Sequence, residues 1–337
     1  MIRYLLSVSL ILSNFSLYSQ SLFPLQSGKS TSMRGLSVLN DSIAWVSGSN
    51  GWTARSLDRG KTWVWKQIPG YEKLDFRDIE AFSGSRAILV SAGTPAVILL
   101  TINGGAEWQE VYRNDFADIF LDGMDFWDSE RGIIYGDPIK GKLVLLKTAD
   151  GGKTWQNISA NMHVTLIDGE ASFAASGTAI RCGKGGRTWI ATGGKQSRIL
   201  FSSDHGNSWK AYACPIIQGK SSTGPFSIAF FRHRTGVAAG GDYLADTARQ
   251  NNFLLTRNAG KTWTRPSVST FGYRSAVEYI SRKFLISTGP SGTDLSEDGG
   301  NTWKILSENG FHTVRKAKFG NWVLLTGSNG RISSLKY

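Results

Sequence analysis

The sequence predicts an all-β fold, a seven-bladed β-propeller of four-stranded blades, on three observations. The chain has 337 residues with 39 glycines, 12 tryptophans and only 19% charged residues, a balance that favours short strands and tight turns over helices with charged surfaces. An octapeptide recurs six times along the chain, and a glycine-containing turn recurs seven times. Recurrence over most of the length indicates one repeat domain rather than two unrelated domains.

The first 20 residues have the pattern of a secretory signal peptide. Arg3 supplies the positive charge, and residues 4–18 form an apolar stretch interrupted only by Ser and Asn. The stretch is too short to span a bilayer comfortably, so we expect cleavage near Gln20 and an exported protein, either periplasmic or secreted. The absence of a nearby cysteine argues against a lipoprotein. The alternative is a retained N-terminal anchor.

The octapeptide has the residues of a hairpin turn. Asp or Asn at its third position can accept hydrogen bonds from backbone amides of the same turn, Gly at the fifth permits positive φ, and the final Trp packs as a hydrophobic plug. None of these roles is catalytic, so we interpret the six copies as structural. The copies are Ser56–Trp63, Thr101–Trp108, Thr148–Trp155, Ser202–Trp209, Thr256–Trp263 and Ser296–Trp303.

The number of blades follows from a second marker. The final Trp residues are separated by 45, 47, 54, 54 and 40 residues, which is the length of a four-stranded blade. Six copies alone would suggest six blades, but the turn after the second strand of each repeat occurs seven times. These turns contain Gly48, Gly93, Gly136, Gly193, Gly241, Gly289 and Gly327.

The last repeat, from about Phe311, has only three predicted strands before the chain reaches Tyr337. Residues 21–32 precede the first inner strand, where a fourth strand of that blade would lie. We therefore predict one propeller domain over residues 21–337, whose ring is closed by strands from both termini in one blade. Such closure removes exposed sheet edges.

The two cysteines, Cys182 and Cys214, are predicted on the innermost and outermost strands of one blade. Three strand spacings separate those positions by about 14 Å, which is too far for a disulfide. We therefore expect two free thiols of the core type.

The octapeptides resemble the Asp-box, or bacterial neuraminidase repeat (BNR), of sialidases, sortilin-type receptors and related propellers. Together with the inner-strand pattern FRDIEAF and the Gly-rich second strands, they resemble the family of photosystem II stability and assembly factors. This resemblance implies an exported or lumenal seven-bladed propeller that acts as an assembly chaperone and binds a newly made membrane protein partly through an arginine patch. Since no feature indicates a photosynthetic organism, we expect a binding or assembly role without the photosystem.

Four inner strands open with an arginine, namely Arg34, Arg77, Arg274 and Arg315. They belong to blades one, two, six and seven, which are neighbours around the ring, and the resemblance implies that they match the arginines of the family. We predict that the four guanidiniums meet at the upper mouth of the channel as a site for carboxylate or phosphate. The alternative is that each arginine pairs with a local acid, such as Asp78 or Glu278.

The opposite half of the ring offers acidic and aromatic candidates. Asp137 follows the second strand of blade three, Asp242 and Tyr243 follow that of blade five, and Glu170 lies in a long connection before the inner strand of blade four. With the arginines they could hold a polar ligand such as a sugar or peptide. Alternatively, Asp137 before Pro138 only shapes a turn.

The net charge of +12 is consistent with an acidic partner or with solubility alone. Scattered basic residues and predicted export argue against nucleic acid. Gly183–Gly186 lacks the following helix of a dinucleotide site, and no metal-ligand spacing occurs, so we predict no cofactor, no metal and no catalytic residue. We expect a monomeric, non-catalytic propeller that engages a protein partner, a membrane protein among the candidates, or an anionic ligand. The alternative is a glycoside hydrolase or glycan-binding protein of the Asp-box type.

Overall fold

The computed structural model describes residues 20–337, so the predicted signal segment lies outside the described residues except for Gln20. Within them, seven antiparallel sheets follow one another along the chain. After β1 (Ser21–Gln26), blade one contains β2 (Met33–Val38), β3 (Ala44–Gly48), β4 (Trp52–Ser56) and β5 (Val64–Gln67); blade two contains β6 (Asp75–Ala81), β7 (Ala87–Ala92), β8 (Ala96–Thr101) and β9 (Gln109–Asn114); blade three contains β10 (Leu121–Phe126), β11 (Gly132–Ile139), β12 (Lys142–Thr148) and β13 (Gln156–Asn157).

The remaining four blades follow the same order from the channel outward. Blade four contains β14 (Glu170–Ala171), β15 (Ile180–Gly183), β16 (Arg187–Gly194), β17 (Arg198–Ser202) and β18 (Lys210–Ala213); blade five contains β19 (Thr223–Phe231), β20 (Thr235–Asp242) and β21 (Phe253–Thr256); blade six contains β22 (Ala276–Tyr279), β23 (Leu285–Gly289), β24 (Gly292–Ser296) and β25 (Lys304–Ser307); blade seven contains β26 (Thr313–Lys316), β27 (Val323–Thr326) and β28 (Ile332–Lys336). Two short 3₁₀ turns, Ser159–Asn161 and Ser328–Gly330, complete the elements of the described chain.

The predicted seven-bladed propeller is confirmed, and its ring closes as expected. Strand β1 pairs with β28 as the outermost strand of blade seven, with Ser21 opposite Lys336 and Leu22 opposite Leu335. Pro24 is tolerated because this outer edge needs no backbone donor on its free side. Strands from both ends of the described chain therefore share one sheet.

The blades are held together by apolar side chains on both faces of the strands that lie inside each sheet. All six residues of β8 are buried, because a neighbouring blade covers each face of the sheet and an alternating polar pattern would bury polar groups. Outermost strands such as β5 are largely exposed. The core therefore lies between blades as seven wedges around the channel.

Blade five departs from the four-stranded pattern. Its outermost position is reduced to a single bridge between Leu255 and Thr264. Pro266 follows two residues later, and a proline cannot donate to a strand ladder. The fourth strand therefore does not extend.

The recurring octapeptides form hairpin turns that share one backbone-to-side-chain hydrogen bond. In blade three, Asp150 accepts from the Thr154 backbone N–H at 3.0 Å and from the Thr154 hydroxyl at 2.6 Å. The Trp155 indole donates to the Gly152 carbonyl at 3.1 Å. All six third-position side chains accept from the residue four positions later, so their polar groups serve the turn.

Cys182 and Cys214 are free, as predicted. Cys182 lies on β15, and Cys214 directly follows β18 at the outer edge of the same blade. Among residues 20–337, no helix has the length and apolar character that a bilayer crossing requires.

Candidate functional site

The inner strands line a channel that has one cavity at each end. The starts of these strands surround an upper cavity of about 470 Å³, and their ends surround a lower cavity of about 290 Å³. On β10, for example, Asp122 faces the upper cavity and Asp125 the lower one. The inner-strand entrances therefore gather on one face of the ring.

A segment of blade four crosses the channel between the two cavities. Strands β14 and β15 both pair with β16, but residues 172–178 leave the ladder between them. We call residues 172–178 the crossing segment. Most of it is buried, so its backbone carbonyls need donors from the surrounding blades.

Three arginines supply such donors, and further hydrogen-bond partners come from all around the ring. Arg34 of blade one donates to the Ala175 carbonyl at 2.8 Å, and Arg77 of blade two donates to the Ala174 carbonyl at 3.5 Å. Arg315 of blade seven donates to the Gly177 carbonyl at 2.9 Å. The remaining blades contribute through Asp137, Ser227 and Ser275, which are hydrogen-bonded to Ser172, Thr178 and Ser176 respectively. The crossing segment is thus tied to all six other blades.

β-Bulges aim four side chains into the upper cavity. The strand register shifts around Arg34 in blade one, Arg77 in blade two, Asp122 in blade three and Phe226 in blade five. Each of these residues lines the cavity. A bulge inserts an extra residue and redirects its side chain, so equivalent positions of four blades present two cations, one carboxyl and one aromatic ring.

The wall opposite Arg34 and Arg77 is aromatic. Phe173 of the crossing segment stacks on Phe226 with ring centroids 3.9 Å apart. Tyr273 and Tyr243 meet the same ring edge-on, at 4.8 and 6.0 Å. Tyr243 keeps 46% of its surface exposed, so this wall continues to the mouth of the cavity.

Two carboxyl groups lie next to each other in the upper cavity. Asp122 on β10 and Asp137 on β11 are diagonal neighbours, because Leu121 is paired with Gly136. Asp137 accepts a hydrogen bond from the Ser172 backbone N–H at 3.1 Å. Among the described residues, neither oxygen of the buried Asp122 has a hydrogen-bond partner. Burial, reinforced by the Asp137 charge, raises the pKa of Asp122 well above its ordinary value, and burial also raises the pKa of Asp137.

His312 lines the upper cavity together with Arg34 and Arg77, but its imidazole is uncharged. Burial and the charges of Arg34, Arg331 and Arg77 lower the pKa of His312 to about 3. Its Nε2 lies 2.9 Å from the Ser32 hydroxyl and 3.1 Å from the Ser328 hydroxyl. The imidazole therefore acts as a hydrogen-bonding group rather than a third positive charge.

The predicted meeting of four arginines is wrong for two of them. Arg274 is 1% exposed, and its Nε donates to Asp294 of β24 at 2.7 Å. Strand β22 begins only at Ala276, so no bulge directs Arg274 to the channel, and the buried carboxylate binds it inside the blade.

Arg315 lines the lower cavity instead of the upper one. It is paired with Leu324, one step before the hairpin that joins β26 to β27, which is the lower end of the strand. Its equivalents are Glu80 and Asp125 rather than Arg34 and Arg77. The prediction placed Arg315 at the upper end of its strand, whereas Arg315 lies at the lower end.

Of the four acidic and aromatic candidates, two line the upper cavity and two do not. Asp137 and Tyr243 line the upper cavity with Arg34 and Arg77. Glu170 is buried and accepts two hydrogen bonds from Arg198, of 2.8 and 2.6 Å. This carboxylate therefore has a structural role. Asp242 is also buried; it accepts from the Leu244 backbone N–H at 3.0 Å and does not reach the cavity.

Sequence reasoning missed Asp122 and the crossing segment. A positional signal for Asp122 exists, since Leu121-Asp122-Gly123 occupies in blade three the place that Met33-Arg34-Gly35 occupies in blade one. Residue type does not reveal this equivalence, because an acid stands where blades one and two have an arginine. Within residues 20–337, no three His, Cys, Asp or Glu side chains are grouped closely enough to hold a metal ion.

The chain matches no family model and no curated protein, but it is similar to several solved propellers. A structure of YCF48, a photosystem II assembly factor, bound to a D1 peptide superposes with a TM-score of 0.66 at 14% identity, covering 96% of this chain and 98% of that one. YCF48 from Cyanidioschyzon merolae gives 0.65 at 15% identity, covering 93% and 98%. The xyloglucanase of family GH74 from Xanthomonas campestris gives 0.62 at 14% identity, covering 93% of this chain and 53% of the enzyme. At these identities the likeness shows the fold, and at that level it agrees with the resemblance noted in the sequence.

Proposed function

We propose that this chain is an exported, non-catalytic propeller with an assembly-factor-like role, which binds a protein partner or another anionic ligand through its upper cavity. The observation that carries the proposal is the composition of that cavity, in which two guanidiniums face an aromatic wall. Tyrosine, other aromatics and arginine supply most of the binding energy in protein interfaces. A peptide segment with a carboxylate matches this arrangement.

The arginines retain capacity for a ligand although they also hold the crossing segment. Among the described residues, Arg34 donates through Nη1 to Ala175, and Arg77 through Nε to Asp75 and Nη1 to Ala174. A guanidinium has five N–H groups, so further donors are available at both side chains. Burial and the nearby Arg77 charge lower the pKa of Arg34, which means that an incoming anion would relieve repulsion between them.

The known complex of YCF48 with a D1 peptide supports a protein partner for this chain, since the folds are similar over nearly their whole lengths. Use of the upper cavity, export and the identity of the partner are parts of the proposal. The resemblance suggests a membrane protein as one class of partner.

The test is photo-crosslinking in cells that express the full chain. A photoreactive phenylalanine analogue at position 243 should capture a defined partner, because Tyr243 stands at the cavity mouth. The same analogue at position 257 is the matched control, since Arg257 is exposed near the octapeptide turns. Arg77→Gln should reduce capture at position 243 at least tenfold, whereas Arg257→Gln should not.

Capture that is equal at positions 243 and 257, or that is unaffected by Arg77→Gln, would remove the upper cavity from the proposal. The captured protein should come from the envelope fraction, because the proposal places this chain outside the cytoplasm.

A glycoside hydrolase or glycan-binding protein remains the second candidate, and the Asp122–Asp137 pair is the observation that favours it. Glycoside hydrolysis commonly uses two carboxyl groups, one of them with a raised pKa. Here both groups lie on adjacent strands at one side of the cavity rather than on opposite sides of a cleft. Turnover of any glycoside in a broad panel, abolished by Asp122→Asn, would favour this candidate over the binding role.

A further inference from the structure

Asp122 is a buried carboxyl group that the protein itself leaves without a partner. Its side chain is 2% exposed and lines the upper cavity. No donor among residues 20–337 reaches either oxygen. An unpaired buried carboxyl is costly because it loses its hydration, so its retention beside an open cavity points to a ligand that supplies the missing donors.

Neither guanidinium that lines the cavity is hydrogen-bonded to Asp122. Arg77 donates to Asp75 at 2.7 Å and to the Ala174 carbonyl, and Arg34 donates to the Ala175 carbonyl. No lysine is among the described residues that line the upper cavity. Arg77 acts on Asp122 only through its charge, so a cation in direct contact with Asp122 has to come from outside the described residues.

We infer that the upper cavity receives a primary ammonium group, which is bound by Asp122 together with Asp137. The number of groups matches: an ammonium has three N–H donors, both Asp122 oxygens lack a partner, and Asp137 has the oxygen that does not accept from Ser172. Both Asp122 oxygens are buried, so binding requires the Asp122 side chain to turn towards the cavity. The methylene groups next to the ammonium would pack against Phe120 and Phe173, which line the same cavity.

This inference rests on the proposed binding function and adds the chemistry of what is bound. A partner that places a lysine side chain or an N-terminal amine at Asp122, and a carboxylate at Arg34 and Arg77, would use both ends of the cavity. The cavity of about 470 Å³ accommodates one such residue and its neighbours. Pairing inside a desolvated cavity makes the contacts charge-assisted and therefore strong.

The inference is tested by calorimetric titration of the protein, from Gln20 to Tyr337, with small probes. N-acetyl-lysine amide carries the ammonium on a side chain, glycyl-leucine amide carries it at the N-terminus, and N-acetyl-norleucine amide has a similar apolar chain without it. At least one of the two amines should bind tenfold or more tightly than the norleucine compound. The preferred amine identifies the source of the ammonium.

Asp122→Asn keeps the shape of the side chain and should weaken binding of the preferred amine at least tenfold. Asp137→Asn is the second variant, and Asp168→Asn is the matched control because Asp168 is fully exposed in the connection before β14. Circular dichroism checks that each variant is folded. Binding should also release protons from the protein, since the ammonium favours the ionised carboxylates, and the heat should therefore depend on the buffer.

Equal affinity of wild type and both cavity variants, or no preference for either amine over the norleucine compound, would overturn the inference. Such a failure is distinguishable from failure of the proposed function. Partner capture at position 243 with no amine preference refutes only the ammonium site, whereas amine binding without capture refutes only the protein partner.

Discussion

The inner strands of the ring line both the upper and the lower cavity, but the charged side chains of the two cavities differ in whether they have partners. In the lower cavity Arg181 lies 3.3 Å from Glu278, Lys318 contacts Glu80, and Asp125 accepts two backbone N–H groups. In the upper cavity Asp122 has no partner in the described chain, and Tyr243 of the aromatic wall is 46% exposed. Each of these lower carboxyl groups is bonded within the protein and serves the fold, whereas the upper cavity leaves groups for a ligand.

The crossing segment maintains this difference because it separates the cavities. Arg34 and Arg77 bind it from one side and Arg315 from the other. The inner-strand arginines thus have a structural role in each case, and the upper pair combines it with exposure to the cavity. A functional arginine patch and a structural one are therefore not exclusive alternatives in this ring.

The largest expected effect is a loss of stability caused by a substitution in the crossing segment, which separates the two cavities. A Cβ at Gly177 would overlap the Asp78 carboxyl group, which is held by the backbone N–H groups of Ile79 and Met124 at 2.9 and 2.7 Å. Gly177 also has φ of +65°. Gly177→Val should therefore lower the free energy of unfolding by about 4 kcal/mol, measured by urea denaturation.

Gly185 is the matched control for that substitution. It lies in the same blade with φ of +73°, but its Cβ would meet only the end of the flexible Arg187 side chain. Gly185→Val should cost only about 2 kcal/mol, from the strain of a β-branched residue at positive φ. Equal losses at the two glycines would mean that the crossing segment is not held tightly against Asp78.

The next effect tests whether the lower cavity depends on internal pairing. Arg181→Met should destabilise the protein by about 2 kcal/mol, because it removes the cation that is paired with the partly buried Glu278. The exposed pair of Arg113 and Glu110 is the control, and Arg113→Met should cost only about 0.5 kcal/mol. A loss at Arg181 as small as that at Arg113 would contradict the view that the lower charges serve the fold.

Local and long-range chemistry differ in how far the sequence predicts them. The blade count and the ring closure were predictable because the octapeptide and the glycine turn depend on contacts within a few residues, as in the turn around Asp150. The crossing segment was not, since its partners, such as Arg34 and Arg315, lie 141 and 138 residues away. Arg34, Arg77, Asp137 and Tyr243 line one cavity, whereas the positions of Arg274 and Arg315 depend on the strand register, which the residues beside them do not specify.

The smallest effect concerns the unpaired carboxyl of the upper cavity and is recognised by its pH dependence. Burial and the Asp137 charge raise the pKa of Asp122 in the folded state, while the Arg77 charge opposes them. Tyr135, buried nearby, is the other titratable neighbour.

Below the pKa that Asp122 has in the unfolded chain, its carboxyl group is protonated in both states and does not reduce stability. As pH rises towards the higher folded-state pKa, the unfolded state loses its proton first and stability falls. Asp122→Asn removes this titration, so in the ligand-free protein the stability of the variant relative to wild type should increase between pH 4 and pH 8 in urea denaturation. Asp168→Asn should show no comparable growth, because Asp168 is fully exposed. A pH-independent difference at Asp122 would mean that its carboxyl is already neutralised within the protein, and the contrast between the two cavities would then no longer hold.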